Sequence, residues 1–214
     1  TMCILITTLP ETEGDHKFLD WYKNNIILKF PKVTSVIHAI NTKNSVNNGD
    51  INFIIGKNNL VENILGIEYQ ISPFSFFQTN SYQLDNFIDK IIQSAKLTTE
   101  LTVWDLYCGT GNFSIKYAQH IPVLGVDQNA RAIARAASLG VGEYRLLCDE
   151  KFDLVLQERE WDVVLLDPPR QGAKKVISLL GESRAKRIVY VSCNPATLAR
   201  DAHELMRKGW RIQR

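Results

Sequence analysis

Apolar residues recur along the chain in two patterns that change near residue 72. Before that point short apolar runs predict strands at 2–8, 33–40, 51–55, 60–64 and 67–71. One stretch has helical spacing, with apolar residues at Phe18, Leu19, Tyr22, Ile26 and Leu28. We expect this helix to be capped by Asp15 and to end before Pro31. We expect the last three strands to form a small antiparallel set, so residues 1–72 predict a small α+β domain.

From Pro73 onward, runs that are apolar throughout alternate with amphipathic helical stretches. The predicted strands are 101–106, 123–127, 144–147, 163–166 and 187–191. The predicted helices begin near residue 80 and at 113, 129, 152, 173 and 195. Trp210 begins what reads as one further strand. This alternation predicts an α/β domain over 73–214, with a parallel Rossmann-like sheet that binds ligands at the carboxyl ends of its strands.

Composition narrows the class of protein. Of the 214 residues, 45% are apolar and 22% are charged, which is typical of a globular chain and not of a disordered one. No apolar run is long enough to cross a membrane, and the first residues lack the basic region of a signal peptide. The cysteines are far apart, at Cys3, Cys108, Cys148 and Cys193. We therefore expect a reduced, cytoplasmic, monomeric protein without a disulfide framework, zinc ribbon or iron–sulfur cluster.

The net charge of +2 hides an asymmetry. Residues 170–214 carry 11 basic and 3 acidic side chains, a net charge of +8, which leaves −6 for the rest. A basic segment on an acidic chain favours an anionic partner such as nucleic acid. Solvated helix faces are the simpler explanation when charge is considered alone.

The loop after the first sheet strand carries the sequence DLYCGTGNF at 105–113. Gly109 and Gly111 permit a sharp turn and a close approach of a ligand to the backbone. The second strand ends at Asp127, whose carboxylate is able to accept both hydroxyls of a ribose. A tight turn is the simpler interpretation. Ser114 replaces the third glycine of a dinucleotide site, which argues against a nicotinamide cofactor and favours S-adenosylmethionine.

Two further loops follow predicted strands. In DPPR at 167–170, two prolines fix a turn that places Asp167 and Arg170 at the edge of the sheet. Amino-group methyltransferases have an aromatic residue after the prolines, so Arg170 argues against that chemistry. In SCNP at 192–195, Cys193 precedes a helix whose positive end stabilises a thiolate. A lone cysteine is more often a small buried side chain, but its place on the same edge as Asp167 favours a chemical role.

These loops, together with SFFQTN at 75–80, resemble the RNA uracil-5 methyltransferases, which make 5-methyluridine in tRNA and rRNA. The resemblance runs from about residue 72 to 210, and FFQTN is closer to the rRNA branch. It implies a class I methyltransferase fold lacking its last strand, preceded by part of the family's central domain. S-adenosylmethionine is the implied cofactor and RNA the implied partner, contacted through residues 170–214.

The resemblance also implies roles for individual residues. Cys193 is at the position of the nucleophile that adds to uracil C6, and Asp167 and Arg170 complete the catalytic set. The implied cofactor residues are Gln78, Tyr107, Gly109, Gly111, Asn112, Asp127, Asp149 and Asp167. The implied substrate residues are Phe76, Phe77, Arg170 and Asn194.

The chain departs from the family pattern at three places. The glutamate that acts as general base, in a His-Val-Glu segment, would lie beyond Arg214. The TRAM domain and the cluster-binding cysteines are absent, and RAASLG at 135–140 replaces an Asn-Ala-x-x-Asn-Gly run. Two hypotheses therefore remain. The chain is a methyltransferase core present without both ends, or a non-catalytic remnant that binds cofactor or RNA.

Overall fold

The computed structural model describes residues 2–7, 12–41, 50–64, 66–74 and 80–213. The chain divides into two compact units, Thr1–Ser81 and Tyr82–Arg214. The first unit contains five strands and one helix among its described residues. They are β1 (Met2–Thr7), α1 (Glu13–Lys29), β2 (Ser35–Ile40), β3 (Asp50–Gly56), β4 (Leu60–Ile64) and β5 (Ile67–Ile71).

Pairing in the first unit differs from the sequence expectation in one respect. β4 and β5 form an antiparallel hairpin as expected, but β3 does not join them. It pairs antiparallel with β2, which pairs parallel with β1 on its other side. The reason is burial, because Val36 of β2 is fully buried with Tyr22 and Ile26 of α1, and Phe53 of β3 packs against this cluster. The antiparallel set predicted from the last three strands was therefore wrong for β3.

The cap of α1 was also predicted at the wrong residue. Thr12 is the N-cap, and its hydroxyl accepts a hydrogen bond from the Asp15 amide at 3.1 Å. Asp15 lies three residues later and accepts from the Thr12 amide at 2.8 Å. This reciprocal capping box satisfies two backbone donors that the helix itself leaves unpaired.

The second unit is an α/β domain. Its helices are α2 (Ser81–Ala95), α3 (Ile115–Ala118), α4 (Ala130–Ala137), α5 (Phe152–Glu158), α6 (Lys174–Glu182) and α7 (Pro195–Arg207). Its strands are β6 (Val103–Leu106), β7 (Val123–Asp127), β8 (Glu143–Leu146), β9 (Val163–Leu166) and β10 (Arg187–Tyr190). All five strands are parallel, in the order β10-β9-β6-β7-β8, which confirms the predicted α/β fold.

One face of this sheet packs on α5, α6 and α7. Trp104 and Leu106 of β6, with alternate residues of β7 and β9, form a buried cluster with side chains of these helices. The Trp104 ring stacks on the Trp161 ring, with 6.2 Å between their centroids. It meets the Phe152 ring edge-on, with 6.1 Å between centroids. This packing fixes the strand ends from which the loops of the candidate site emerge.

Two predicted elements of this unit are shorter or absent. α3 has only four residues, because the glycine turn before it continues to Ser114. Residues 210–213 form no strand, although the Trp210 side chain packs against the core cluster. A strand requires a hydrogen-bonded neighbour, and these residues pair with none of the described strands. Within the described ranges, no helix is both long and apolar enough to span a bilayer.

Candidate active site at the carboxyl ends of the sheet

The order of the strands reverses between β6 and β9. From β6 the chain proceeds outward to β7 and β8, and then returns to β9 and β10 on the other side. Ligands of open parallel sheets bind in the crevice at such a point. The loops after β6 and β9 flank it, and they contain the two motifs that the sequence singled out. The backbone amide of Asp167 donates to the carbonyl of Leu106 at 3.4 Å, which links the two loops.

The loop after β6 has a left-handed backbone at three positions. Tyr107, Gly109 and Gly111 have φ values of 61°, 54° and 79°. A Cβ on Gly109 would have no atom within 4 Å, so this glycine faces open space. A Cβ on Gly111 would lie 2.7 Å from the Ile115 side chain. The loop therefore requires glycine for conformation at both positions and for space at Gly111.

Asp127 closes this loop from the neighbouring strand. Its Oδ2 accepts a hydrogen bond from the Gly109 amide at 2.9 Å, and its Oδ1 accepts from the Asn129 amide at 2.8 Å. Because a carboxylate oxygen has two acceptor positions, each oxygen keeps one for a further donor. The side chain of Asn112 accepts from the Thr110 hydroxyl at 2.8 Å on the same loop.

Ser114, which replaces the third glycine, lies fully buried beneath the loop. Its hydroxyl is 3.3 Å from the hydroxyl of Tyr144 on β8. Tyr144 also lies against Gly125, where a Cβ would come within 2.4 Å of its ring. The serine thus supports the loop from below, an arrangement that the sequence did not indicate.

Asp105 is a candidate site residue that the sequence analysis missed. Its side chain is 1% exposed, and neither carboxylate oxygen has a hydrogen bond of ordinary geometry among the described residues. Burial, reinforced by the charges of Asp167 and Asp127, raises the pKa of Asp105 to about 7. The nearby Ser114 hydroxyl offsets part of this rise. A buried carboxyl without a partner at the edge of a crevice fits a ligand that brings a cation or donor.

Asp167 shares this environment on the loop after β9. Burial raises the pKa of its carboxyl to about 6. Arg170, three residues later, is exposed. The loop therefore presents a partly buried acid and an exposed guanidinium on the two sides of Pro168 and Pro169.

The loop after β10 carries Cys193, which is exposed. Asn194 caps α7 by accepting from the Ala196 amide at 3.1 Å, and the Ser192 hydroxyl donates to the Asn194 carbonyl at 3.0 Å. The side-chain amide of Asn194 donates to the carbonyl of Arg170 at 3.1 Å. The structure therefore brings the Cys193 loop and the Arg170 loop together.

Four of the sequence-predicted residues are not placed. Phe76, Phe77 and Gln78 lie outside the described residues, as does the side chain of Asp149. The backbone of Asp149 begins a short 3₁₀ turn, Asp149–Lys151, after β8. The roles assigned to these four residues stay predictions.

The basic segment 170–214 is less positive in three dimensions than along the sequence. Three of its cations pair with acids from outside it, in the pairs Lys175–Glu150, Arg184–Glu160 and Lys186–Asp162. Others pair within it, in Arg200–Asp201, Arg207–Glu204 and Lys208–Glu182. Arg170, Lys174 and Arg211 form no ion pair with any described residue. Cations without an acidic partner therefore remain in the described part of the segment, and one of them, Arg170, is on the loop after β9.

A cavity of about 300 Å³ opens at the opposite ends of the strands. Its lining includes Trp161 and Ala185, which precede β9 and β10, and Leu179 of α6. None of the residues that the sequence assigned to the site lines this cavity, so the cavity does not bear on the chemistry at the carboxyl ends of the strands.

Known proteins resemble this chain in sequence and in fold. The family model described as tRNA (uracil-5-)-methyltransferase matches residues 126–214, which include Asp127, Asp167 and Cys193. A tRNA (uracil(54)-C(5))-methyltransferase of Pyrococcus horikoshii is 36% identical over 180 residues, covering 82% of this chain and 44% of the relative. The 23S rRNA (uracil(1939)-C(5))-methyltransferase RlmD of Pseudomonas aeruginosa is 39% identical over 152 residues, covering 66% and 34%.

A solved structure is similar over most of the chain. The tRNA (uracil-54, C5)-methyltransferase of Pyrococcus abyssi, in complex with S-adenosyl-L-homocysteine, superposes with a TM-score of 0.70 at 34% identity. The match covers 85% of this chain and 46% of that one, and this chain spans less than half the length of each of these three relatives. The fold is that of the class I S-adenosylmethionine-dependent methyltransferases. By these matches, the chain belongs to the RNA uracil-5 methyltransferase family.

Proposed function

We propose that the chain takes part in methylation of C5 of a uridine in RNA, with S-adenosylmethionine as methyl donor and Cys193 as covalent nucleophile. The observation that carries this proposal is the junction of two loops at the edge of the sheet. Exposed Cys193 is followed by Asn194, whose side chain bonds the backbone of Arg170, and the Arg170 loop begins at the partly buried acid Asp167. The loops that carry a nucleophile, a cation and an acid are thus joined to one another, and the Asp167 amide joins them to the end of β6, where the glycine loop begins.

The residues at the carboxyl ends of the strands fit S-adenosylmethionine. The open space at Gly109 admits a ligand to the backbone, and Asp127 keeps one acceptor position on each oxygen for ribose hydroxyls. The buried carboxyl of Asp105, which has no hydrogen bond of ordinary geometry among the described residues, suits the ammonium group of the methionine part. Tyr107, Gly111 and Asn112 shape the same loop, and we propose Gln78 and Asp149 as further contacts. The bound cofactor supplies an electrophilic methyl group.

The chemistry of uracil explains why a thiolate is required. C5 of uracil is a weak nucleophile. Addition of the Cys193 thiolate to C6 moves the electron pair of the C5–C6 bond into the ring as an enolate, and C5 then attacks the methyl group. Loss of the C5 proton to a base restores the double bond and expels the thiolate. By family resemblance that base is a glutamate, and the residues proposed here serve the steps up to the methylated adduct.

We propose that Arg170 and Asp167 contact the uracil. The exposed guanidinium of Arg170 is suited to stabilise the negative charge that develops on the uracil oxygen, because fixed cations at a developing oxyanion lower the barrier. The side-chain amide of Asn194 donates to the Arg170 carbonyl, and this bond between the two loops supports a shared role at the uracil. Phe76 and Phe77 are proposed to stack on the extruded base.

We propose rRNA as the substrate class, on the resemblance of the FFQTN run. Both rRNA and tRNA enzymes occur among the relatives, so transcripts of each class serve as the comparison. Lys174 and Arg211 are the proposed phosphate contacts of the 170–214 surface. We further propose that residues 1–72 correspond to the family's central domain and that the chain acts as a monomer in the cytoplasm.

The test uses RNA that contains 5-fluorouridine. Fluorine at C5 is not removed as a proton is, so the covalent intermediate accumulates whether or not a general base is present. With S-adenosylmethionine we expect a protein–RNA species that survives denaturing electrophoresis, formed by the wild type and by Cys148→Ala but not by Cys193→Ala. Cofactor binding without any such species would contradict the proposal and identify a non-catalytic binding protein.

A further inference from the structure

The first half of α7 contacts the backbone of the Arg170 loop at three successive points. The carbonyl of Arg170 accepts from the Asn194 side chain at 3.1 Å and from the Thr197 hydroxyl at 3.3 Å. The carbonyl of Gln171 accepts from Nη2 of Arg200 at 3.0 Å. The amide of Ala173 donates to Oδ2 of Asp201 at 2.8 Å. We call these four side chains, Asn194, Thr197, Arg200 and Asp201, the α7 clamp.

Asp201 is the most buried member of the clamp. Its side chain is 2% exposed, and Oδ2 accepts from the Ala173 amide and from the Tyr190 hydroxyl, the latter at 2.7 Å. Oδ1 accepts from Nε of Arg200 at 2.8 Å. The carboxylate thus has a counter-charge and two further donors, which is what a buried charge requires. It ties the end of β10 and the start of α6 to α7.

Gly172 makes the close approach of this loop possible. Its φ is +81°, and a Cβ there would lie 2.6 Å from Oδ2 of Asp201 and 2.5 Å from Nη2 of Arg200. Its amide donates to the Pro169 carbonyl at 2.8 Å, which closes the turn. The loop is therefore recognised by its backbone, and only glycine fits between the two clamp residues.

We infer that Asp201 is a positioning residue, which through the α7 clamp holds Arg170 in register with Cys193 at the start of the same helix. The two loops follow the adjacent strands β9 and β10, which are paired in the sheet, and beyond the strand ends these hydrogen bonds join them. This inference rests on the proposed function of Cys193 and Arg170. A small displacement of groups that act together on one ring is expected to slow the reaction strongly. Among the described residues, the hydrogen bonds of the clamp reach the Arg170 loop and Tyr190 and not the glycine loop after β6, so we expect that loop to keep its conformation.

The experiment compares three variants in the 5-fluorouridine assay at saturating RNA and cofactor. Asp201→Asn replaces one acceptor oxygen by a donor, and Tyr190→Phe removes a single donor to Asp201. Glu204→Gln is the matched control, because Glu204 is on the same helix and pairs only with Arg207 among the described residues. The rate constant of adduct formation and the dissociation constant of S-adenosylhomocysteine are measured for each.

We expect Asp201→Asn to lower the rate constant about tenfold or more, as displaced reacting groups do. Tyr190→Phe is expected to lower it about threefold, as loss of one hydrogen bond does, with Glu204→Gln equal to the wild type. The cofactor dissociation constant should change by less than about twofold in all three, which a general loss of folding would not produce.

Two results separate the clamp from the proposed function. Suppose that the wild-type chain forms the adduct and that Asp201→Asn or Tyr190→Phe forms it at the wild-type rate. This result would overturn the positioning role of Asp201 and leave the proposed function intact. Parallel losses of rate and cofactor affinity would also overturn it, since they indicate a purely structural role. If Asp201→Asn does not fold, Tyr190→Phe decides. No adduct from the wild type would contradict the proposed function, and the role of the clamp with it.

Discussion

The Gly109 amide donates a hydrogen bond to Oδ2 of Asp127 over 2.9 Å, from the turn after β6 to the end of β7. Asp127 also accepts from the Asn129 amide, so one carboxylate fixes both the glycine turn and the entry to α4. The proposed ribose-binding residue is therefore also the residue that shapes the turn. We therefore expect a change at Asp127 to alter both the affinity for the cofactor and the conformation of this loop.

Asp127→Asn is predicted to weaken binding of S-adenosylhomocysteine about tenfold or more. An asparagine has only one acceptor oxygen, so either the Gly109 or the Asn129 amide loses its partner, and one ribose hydroxyl meets a donor in place of an acceptor. Calorimetric titration measures the effect. The matched control is Asp85→Asn on the exposed side of α2, and equal dissociation constants for the two variants would contradict the prediction.

Asp105 is predicted to make stability depend on pH. Its folded pKa is raised from the ordinary 3.8 to about 7, so between these values the folded chain holds a proton that the unfolded chain has released. The free energy of unfolding contributed by Asp105 is then largest below 3.8 and falls as the pH rises towards 7. Asp105→Asn lacks this proton. The free energy of unfolding of this variant should therefore rise relative to that of the wild type as the pH rises, by on the order of 4 kcal/mol.

The measurement is urea denaturation of both proteins across this pH range. The relevant quantity is the difference in unfolding free energy between variant and wild type at each pH, because groups that titrate alike in both proteins cancel in it. Parallel profiles would show that Asp105 titrates normally. In that case the argument that its buried carboxyl is reserved for a cationic group would fail.

Gly111→Ala is predicted to cost more stability than Gly209→Ala. Both glycines have a left-handed backbone, with φ of +79° and +95°, so each alanine adds about 1–2 kcal/mol of strain. At Gly209 a Cβ meets no atom within 4 Å, whereas at Gly111 it lies 2.7 Å from Ile115 and 3.1 Å from the Tyr144 hydroxyl. The crowding adds about 1–3 kcal/mol at Gly111. Equal losses in chemical denaturation would show that the loop relaxes freely.

The sequence predicted the elements that depend on local pattern. β7 and β9 were predicted at their observed ends, 123–127 and 163–166, because apolar runs bounded by an acid or a proline leave little choice of boundary. The helix predicted from residue 129 begins one residue later, with Asn129 as its N-cap, and α7 begins at Pro195 as predicted, with Asn194 as its N-cap. The order of the motifs then placed their loops at one edge of the sheet.

What the sequence could not predict depends on contacts between distant residues. Asp105 looks like one more strand residue, and only the fold shows that it is buried between Asp127 and Asp167 without a partner. The ion pairs of the 170–214 segment were hidden for the same reason, because Glu160 and Asp162 reach its cations only in three dimensions. The pairing of β3 with β2 depends on a shared core that no local pattern reveals.

The central claim is that Cys193 bonds to the uracil that receives the methyl group. Its most direct test is mass spectrometry of the wild-type chain after reaction with S-adenosylmethionine and 5-fluorouridine RNA, followed by proteolysis and nuclease digestion. The account predicts a pyrimidine nucleotide, carrying one added methyl group, attached to the peptide that contains Cys193. Attachment at Cys3, Cys108 or Cys148, or an attached nucleotide without the methyl group, would contradict it.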